Sequence, residues 1–514
     1  MPPKSAVFLL AIIFTASFTS AARPEAFAIQ VVDDQTGRGV PLVELRTVSN
    51  VASFTDSSGF VAVDDPALMD HTVYFRVTSH GYEMPRDGFG NRGVRLDVKP
   101  GGSATVKIKR LNIAERLYSV TGEGIYRDSV ILGRPVPIQH PLLNAQVTGQ
   151  DSVQSAVYRG KIYWFWGDTN RQSYPLGHFG TSAATSQLLG AGGLDPSRGV
   201  DLDYFVGDDG FSRPVFQKEG DYPIWLDGLM VLKDKSGAER LVGKASVQES
   251  LRRTVARRLV VFNDETNRFD TIKEIPLDAP LYPEGHPLRV EADGVPYFYC
   301  GDVFPNVRFK ADWDSLLDVP GYEAFTCLAP GSRAGPDARV EKDRDGKPVW
   351  GWKRDTAPTG SKDLEKLVQE KKVPADVGWP LCTDVQTKRP VTLALGSVQF
   401  NAFRKKYVAI GVQLGGKSSF LGEVWYSESD RPEGPWRWAR KVVTHDRYSF
   451  YNPVQHPFFD QEGGRVIYFE GTYATTFSRG DEDSPTPRYD YNQMMYRLDL
   501  SDPRLKFPDD PPAR

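Results

Sequence analysis

This chain has few cysteines and a small net charge. Only three cysteines occur among 514 residues, Cys300, Cys327 and Cys382, which excludes a scaffold held together by disulfides. One Cys300–Cys327 bridge and three buried free thiols are both compatible with this count. The formal net charge is −3, so no overall field attracts nucleic acid or an anionic membrane. We therefore expect no nucleic-acid partner.

Several catalytic signatures are also missing. The sequence has no zinc-ligand spacing, no glycine-rich phosphate loop, no G-x-S-x-G nucleophile elbow and no dinucleotide fingerprint. These absences disfavour redox, kinase-like and serine-hydrolase chemistry. They also give no reason to expect a required cofactor.

Long apolar runs are confined to one place, the N-terminus. Lys4 precedes the run Ala6–Phe18, and the small residues Thr19-Ser20-Ala21-Ala22 follow it. This pattern is typical of a secretory signal peptide, here over residues 1–22. The run is short for a membrane span, and no second one appears. We expect an exported protein, secreted or periplasmic, without a membrane span.

Turn-forming and aromatic residues, by contrast, are abundant. The 47 glycines and 38 prolines, about one residue in six, indicate many turns and few long helices. Aromatic residues make up 12% of the chain, which favours β-structure and surfaces that stack on sugar rings. The sequence therefore predicts an all-β fold, and its length predicts more than one domain.

Residues 26–110 form the first predicted unit. Short strands such as Ala28–Val32 and Val73–Val77 recur with turn signals between them, which is typical of a β-sandwich. The segments D-x-x-T-G, T-D-S-S-G-F and S-H-G-Y follow one another in an order that resembles the carboxypeptidase regulatory-like (transthyretin-like) sandwich. The resemblance implies a spacer, a stabiliser or a weak binding module without catalytic residues.

A linker is predicted over residues 111–140, and an irregular repeat follows it to residue 505. Strand–turn–strand units recur with a period of roughly 50–60 residues, which predicts a five-bladed β-propeller over 141–505. Residues 331–391 interrupt the period and are rich in charge and proline. We interpret them as an insertion over one face, either a lid or a solvated decoration, with a short helix at Lys362–Lys372.

Three acidic residues stand just ahead of strand–turn–strand runs: Asp151, Asp227 and Glu284. If the modules are arranged radially, their carboxylates converge on one point. Hydrolysis of a glycosidic bond needs such a set: an acid for the leaving group, a base or nucleophile opposite, and a partner that tunes the acid. The competing interpretation is that acidic residues are common where a turn enters a strand.

Residues 140–505 resemble the five-bladed propeller glycoside hydrolases of the arabinanase, xylosidase and arabinofuranosidase type. The resemblance rests on Asp151, on Trp225-Leu226-Asp227, on Glu284 in P-E-G-H-P, and on the segment S-E-S-D-R-P-E-G-P-W at 427–436. It implies that Asp151 is the base, that Asp227 modulates the acid, and that Glu284 is the general acid of an inverting reaction. The chain departs from the family pattern because Ser152, not proline, follows Asp151, and no proline precedes Asp227. The resemblance therefore does not name a substrate.

Five further residues are predicted to contact substrate: Asp168, Trp225, His286, His456 and Glu470. Asp168 either binds sugar hydroxyls or caps a turn, and His286 either faces the Glu284 side or is structural. The resemblance implies that His456 lies near the propeller axis, where some relatives hold an ion. A structural or axial Ca²⁺ is thus one option, although no metal ligand is assigned. Glu470 is the alternative acid if Glu284 faces away.

The leading hypothesis is a secreted glycoside hydrolase that acts on a polysaccharide or oligosaccharide. One alternative is a non-catalytic propeller that binds carbohydrate or protein. Another is a polysaccharide lyase, in which a tyrosine or histidine abstracts a proton and the carboxylates are incidental. Convergence of the three carboxylates at one mouth of the channel would separate the first hypothesis from the second.

Overall fold

The computed structural model describes residues 25–178, 180–217, 220–374, 382–478 and 485–508. The predicted signal peptide lies outside these residues. The described part contains 34 strands and three short α-helices, which confirms the all-β prediction. Within it, no helix is both long enough and apolar enough to cross a membrane.

The first eight strands form two four-stranded sheets, with the orders β4-β1-β8-β6 and β3-β2-β5-β7. The strands are β1 Phe27–Asp33, β2 Glu44–Thr47, β3 Ala52–Phe54, β4 Phe60–Val63, β5 His71–Thr78, β6 Tyr82–Glu83, β7 Gly93–Val98 and β8 Ser103–Arg110. Alternate side chains of both sheets, among them Ile29, Phe75 and Ile108, meet in one apolar core. This shared core supports the β-sandwich interpretation. The likeness to the carboxypeptidase regulatory-like domain stays a prediction.

Five further sheets, numbered I to V here, each contain at least four strands, and in each of them four neighbouring strands pair antiparallel. Sheet I contains β11 Gln154–Tyr158, β12 Lys161–Trp166, β15 Ser182–Gln187 and β16 Asp203–Tyr204, and a small sheet contains β10 Val147–Gln150, β13 Thr169–Arg171 and β14 Tyr174–His178. Sheet II contains β17 Ile224–Lys233, β18 Glu239–Ser250, β19 Arg253–Asn263 and β20 Arg268–Glu274. Sheet III contains β21 Leu288–Ala292, β22 Val295–Cys300, β23 Val307–Lys310, β24 Glu323–Thr326 and β25 Gly351–Arg354.

Sheets IV and V complete the set. Sheet IV contains β26 Cys382–Asp384, β27 Pro390–Val391, β28 Leu393–Asn401, β29 Lys406–Gln413, β30 Val424–Ser429 and β31 Trp438–Val443. Sheet V contains β32 Ser449–Gln455, β33 Val466–Ala474, β34 Asn492–Asp499 and β9 Glu115–Ser119. The α-helices are α1 Arg127–Ile131, α2 Trp313–Leu317 and α3 Ser361–Gln369. Short 3-10 turns lie at Leu189–Ala191, Val319–Gly321, Pro457–Phe459, Glu462–Gly464 and Pro503–Leu505.

A hydrogen bond joins each of sheets I to V to the next, and the last to the first. In order, these bonds are Gln154 Nε2 to Asp227 Oδ1 (3.4 Å), Gly228 N to Gly285 O (3.2 Å), Gly396 N to Asp302 O (2.9 Å), Gln455 N to Ser397 Oγ (2.8 Å) and Ser155 Oγ with His456 Nδ1 (3.1 Å). The contacts between the five sheets therefore form a cyclic series. The five-bladed propeller itself stays a prediction.

Strand β9 lies inside the predicted linker 111–140, so this segment is more ordered than expected. All five of its residues are buried, and it pairs antiparallel with β34 at the outer side of sheet V. Glu115 also forms an ion pair with Arg497 of β34 at 2.6 Å. The local sequence does not indicate this strand because its partner is so distant along the chain.

The N-terminal sheets contact the rest of the protein through several residues. Asp128 of α1 accepts the backbone N–H of Ala62 at 3.0 Å. On sheet V, the ring of His80 lies 5.9 Å from that of His445 and 5.5 Å from that of Tyr448. Thr36 Oγ1 also donates to Glu115 Oε1 at 2.8 Å, so the N-terminal unit contacts β9, the strand that completes sheet V, as well.

The described parts of the predicted insertion, residues 331–374 and 382–391, pack onto sheets III and IV. Helix α3 confirms the helix predicted at its centre, and its residues Leu364 and Leu367 share a small core with Cys327. Strand β25 extends sheet III, while β26 and β27 extend sheet IV. All three cysteines are buried free thiols, so Cys300 and Cys327 are not bridged.

Candidate active site

Asp151 lies between β10 and β11, at the entrance to sheet I, and is half-buried. Its Oδ1 accepts the backbone N–H of Asp168 at 3.0 Å, and its Oδ2 accepts the hydroxyl of Tyr451 at 3.1 Å. Burial, and after it the charge of Asp168, raises the pKa of Asp151 from 3.8 to about 7. The carboxyl therefore exchanges a proton near neutral pH, as a general base must.

Asp227 lies within β17, so the prediction that it stands just ahead of its strand is wrong. The strand begins at Ile224, and its pairing with β18 shifts register just after Asp227. Gly228 has a φ of 62°, a conformation that suits glycine and marks a β-bulge. The bulge interrupts the alternation that would reveal the strand in the sequence.

Lys244 is the partner of Asp227 on β18, and its Nζ lies 3.0 Å from Asp227 Oδ2. The Lys244 side chain is only 8% exposed, whereas that of Asp227 is 32% exposed. Burial acts to lower the pKa of Lys244, but the charges of Asp227 and Glu284 outweigh it and raise that pKa. Lys244 is therefore a cation held among carboxylates. The sequence gives no sign of this pair.

Glu284 precedes β21 and is half-buried. Burial, then the charge of Asp302 and to a smaller extent that of Asp227, raises its pKa from 4.5 to about 8, against the opposing charge of Lys244. The ring of Tyr282 forms one side of this region, with the Arg257 guanidinium carbon 3.7 Å from its centre. Glu284 is thus protonated at neutral pH, the state required of a general acid.

Asp302 is a residue that the sequence analysis misses, and it occupies the same place in sheet III as Asp168 does in sheet I. Each follows a glycine at the end of the second strand of its sheet. Gly167 N donates to Asp151 O at 2.8 Å, and Gly301 N donates to Glu284 O at 3.3 Å. In both sheets the second aspartate raises the pKa of the first carboxyl. The repeated Gly-Asp after a strand is the signal that could have found it.

Trp225 connects the carboxylates of sheet I to those of sheet II. Its Nε1 donates to Asp168 Oδ1 at 3.0 Å, and it lies two residues before Asp227 on β17. Asp168 Oδ1 also accepts Gly180 N at 3.1 Å, so this carboxylate holds the neighbouring segments in place. The acidic residues of sheets I and II therefore lie on adjoining elements. The acidic residues of sheets II and III, Asp227 and Glu284, both interact electrostatically with Lys244.

His286 lies close to the same carboxylates and is half-buried. Burial lowers its pKa to about 4; the charge of Asp227 opposes this effect, and that of His456 adds to it. His286 is therefore neutral at neutral pH. The charges of residues from both sheet II and sheet V therefore act on His286.

His456 and Glu470 are fully buried. His456 Nε2 lies 3.0 Å from Glu470 Oε1, and its Nδ1 lies 3.1 Å from Ser155 Oγ. Neither side chain reaches a solvent-facing surface. This placement argues against the substrate-binding role predicted for both residues and against Glu470 as the alternative acid.

A metal site is not apparent in the part of the chain that the structure describes. No group of three or more His, Cys, Asp and Glu side chains there could hold an ion. Both ring nitrogens of His456 lie within hydrogen-bond distance of protein groups. His456 therefore has no ring nitrogen free to bind a central ion. The Ca²⁺ considered above stays a prediction.

Comparisons with known proteins give only distant likenesses. No family model matches the chain, and no curated protein does. Among solved structures, the GH43_1 enzyme from Xanthomonas citri complexed with xylose is 13% identical, with a TM-score of 0.31 over 70% of this chain and 88% of that chain. The exo-1,5-α-L-arabinanase from a bovine ruminal metagenomic library is 10% identical, with a TM-score of 0.33 over 69% and 94%. The exo-β-1,3-galactanase from Phanerochaete chrysosporium with galactose is 9% identical, with a TM-score of 0.33 over 75% and 65%. TM-scores this low carry no weight for function, so the chain's own geometry must supply it.

Proposed function

We propose that this protein is a glycoside hydrolase that cleaves glycosidic bonds in a polysaccharide or oligosaccharide. The observation that carries the proposal is the half-buried carboxyl of Glu284, whose pKa is raised to about 8 by burial and by the charge of the neighbouring Asp302. A carboxylic acid in this state can protonate the oxygen of a leaving sugar.

The architecture that we propose is an N-terminal β-sandwich followed by a five-bladed β-propeller. Five successive sheets, each with a run of four antiparallel strands, support it, as do the cyclic hydrogen bonds and the completion of sheet V by β9. In such a propeller the first strands of the blades face a central channel. That arrangement would bring Asp151, Asp227 and Glu284 to one mouth.

The proposed reaction is an inverting hydrolysis. Glu284 donates its proton to the glycosidic oxygen, and the bond from that oxygen to the anomeric carbon breaks. Asp151 takes a proton from a water molecule whose oxygen bonds to the same carbon from the opposite face. Proton exchange with solvent then restores both carboxyls. Asp227 and Lys244 position the acid and balance its charge.

Secretion or export to the periplasm is part of the proposal. It rests on the signal-peptide pattern of residues 1–22. A substrate outside the cytoplasm, such as an environmental polysaccharide, is consistent with this location. The sequence pattern and the site together favour a saccharide partner.

The test is hydrolysis of a glycan panel by wild type, Glu284→Gln and Asp151→Asn. We expect Glu284→Gln to lose about 10²–10⁴-fold in rate, with a smaller loss on an aryl glycoside whose leaving group needs no proton. Asp151→Asn should be inactive on both substrates. Glu291→Gln and Asp293→Asn, exposed changes on the neighbouring hairpin, are the matched controls.

Two results would overturn the proposal. Binding of a glycan by wild type without any hydrolysis would favour the non-catalytic propeller. Products with an unsaturated sugar end would favour the lyase.

A further inference from the structure

A cavity of about 200 Å³ lies between sheets III and IV and the insertion 331–391. The loop between β22 and β23 of sheet III contributes Asp302 and Asn306, the insertion contributes residues 359–363, and the start of sheet IV contributes Thr392 and Ala394. An apolar cavity of about 150 Å³ can hold a benzene ring. A six-membered sugar ring is therefore of the right size for this one.

Asp302 connects the cavity to the candidate active site. Its side chain is exposed on the cavity wall, while the preceding Gly301 donates its N–H to Glu284 O at 3.3 Å. Gly285 and Gly301 also form a parallel bridge, so Glu284 and Asp302 extend from adjacent backbone segments. The charges of Asp227 and Lys362 both act on Asp302. Asp302 thus lies between the acid and the insertion.

The lining of the cavity suits a neutral molecule with many hydroxyl groups. Carboxylates, hydroxyls and an amide alternate there with apolar side chains such as Phe304 and Leu393. Two carboxylates, Asp302 and Asp363, face one cation, Lys362, so an acidic sugar would be disfavoured.

Asn306 adds an amide to the lining of the cavity. The N–H groups of an amide side chain donate hydrogen bonds of the kind that sugar hydroxyls accept.

We propose that this cavity is a subsite that binds one neutral sugar unit of the substrate. The proposal rests on the glycoside hydrolase function above and deepens it. The substrate is then a neutral oligosaccharide or polysaccharide chain, and not a uronic-acid polymer or a short glycoside. Residues 359–363 of the insertion are then a part of the binding site and not a solvated decoration.

The test measures binding separately from hydrolysis. Binding is measured by isothermal titration calorimetry on the full chain that carries Glu284→Gln, because this substitution prevents turnover. The probes are neutral xylo-, arabino- and galacto-oligosaccharides from disaccharide to hexasaccharide, with oligogalacturonides for comparison. Ala394→Leu fills the cavity, and Ala402→Leu makes the same change at an exposed turn of sheet IV.

We expect affinity to rise with chain length for at least one neutral series. Ala394→Leu should weaken binding of the hexasaccharide about tenfold relative to the disaccharide, the effect of losing one or two hydrogen bonds. Ala402→Leu should leave the length dependence unchanged. If Ala394→Leu fails to fold by circular dichroism, Ala394→Val is the milder filling change.

An unchanged length dependence in the folded cavity variant would overturn the subsite, even if wild type hydrolyses the series. Tighter binding of oligogalacturonides, or no binding of any neutral series, would also overturn it. Conversely, wild type could bind a neutral series with an affinity that rises with chain length and never cleave it. That result would contradict the proposed hydrolase and leave the proposed subsite intact.

Discussion

Replacement of Asp302 by asparagine should move the alkaline limb of the activity profile to lower pH. After burial, the charge of Asp302 is the largest contribution that raises the pKa of Glu284 to about 8. Removal of a close charge changes a carboxyl pKa by about 1–3. We therefore expect the pKa of Glu284 to fall to about 7 or below.

The size of the effect depends on pH in a calculable way. Near pH 9, where Glu284 is mostly ionised, a pKa lower by about 1 reduces the protonated fraction about tenfold. Near pH 7 the same change reduces it only about twofold. The rate of Asp302→Asn should therefore approach that of wild type as the pH falls.

The matched control is Asp168→Asn, because Asp168 stands beside Asp151 as Asp302 stands beside Glu284. Burial and Asp168 together raise the pKa of Asp151 to about 7, so this variant should extend activity to lower pH. Its alkaline limb should stay in place. The two changes thus address opposite limbs of one profile.

The assay measures kcat as a function of pH on a neutral oligosaccharide that wild type cleaves. The rate is determined from the release of reducing ends. Use of kcat separates the protonation of Glu284 from any loss of binding on the cavity wall. A second readout needs no substrate: the infrared carboxyl band of wild type minus that of Glu284→Gln, titrated with pH. An alkaline limb that stays at the wild-type position in active Asp302→Asn would refute this electrostatic reasoning.

Three further outcomes are expected. Lys244→Met leaves Asp227 without its counter-ion and should lower the free energy of unfolding in urea by about 2 kcal/mol, less than for a fully buried pair; adding Asp227→Asn should recover part of the loss. Burial lowers the pKa of His80 from 6.5 to about 3, so its contribution to stability is complete above pH 6.5 and is lost as pH falls toward 3. His80→Gln should therefore flatten the fall of Tm between pH 7 and pH 4, whereas exposed His71→Gln should not. A chain that begins at Leu111 should stay soluble by size-exclusion chromatography, whereas one that begins at Val120 lacks β9 and should aggregate through the exposed edge of sheet V.

Local patterns were sufficient for part of the fold. The turn Arg159–Lys161 and the alternation around it identify β11 and β12, because a hairpin is specified by residues that are neighbours in sequence. Strand β9 could not be found in this way, since its pairing with β34 is a long-range contact. The bulge at Gly228 likewise hides the start of β17, so the sequence predicts Asp227 ahead of this strand and not within it.

The candidate site divides in the same manner. Asp151 and Glu284 were accessible to sequence reasoning because each stands alone before a strand. Lys244 and Asp302 were not, because their importance comes from distances to other sheets. His456 and Glu470 carried the right residue types for a site, but only the structure reveals that they pair with each other inside the protein.

The closure of sheet V by β9 has a consequence for the order of folding. Glu115 and Arg497, which hold the two strands together, are 382 residues apart in the chain. Bringing ends this distant together costs about 5 kcal/mol of loop entropy, and contacts of such separation form slowly. Strand β9 is synthesised before sheets I to V, yet it finds its partner only after the last of them has emerged. Until then the chain carries an unpaired strand, whose free backbone N–H and C=O groups can pair with another chain. The risk of aggregation is therefore highest during that interval.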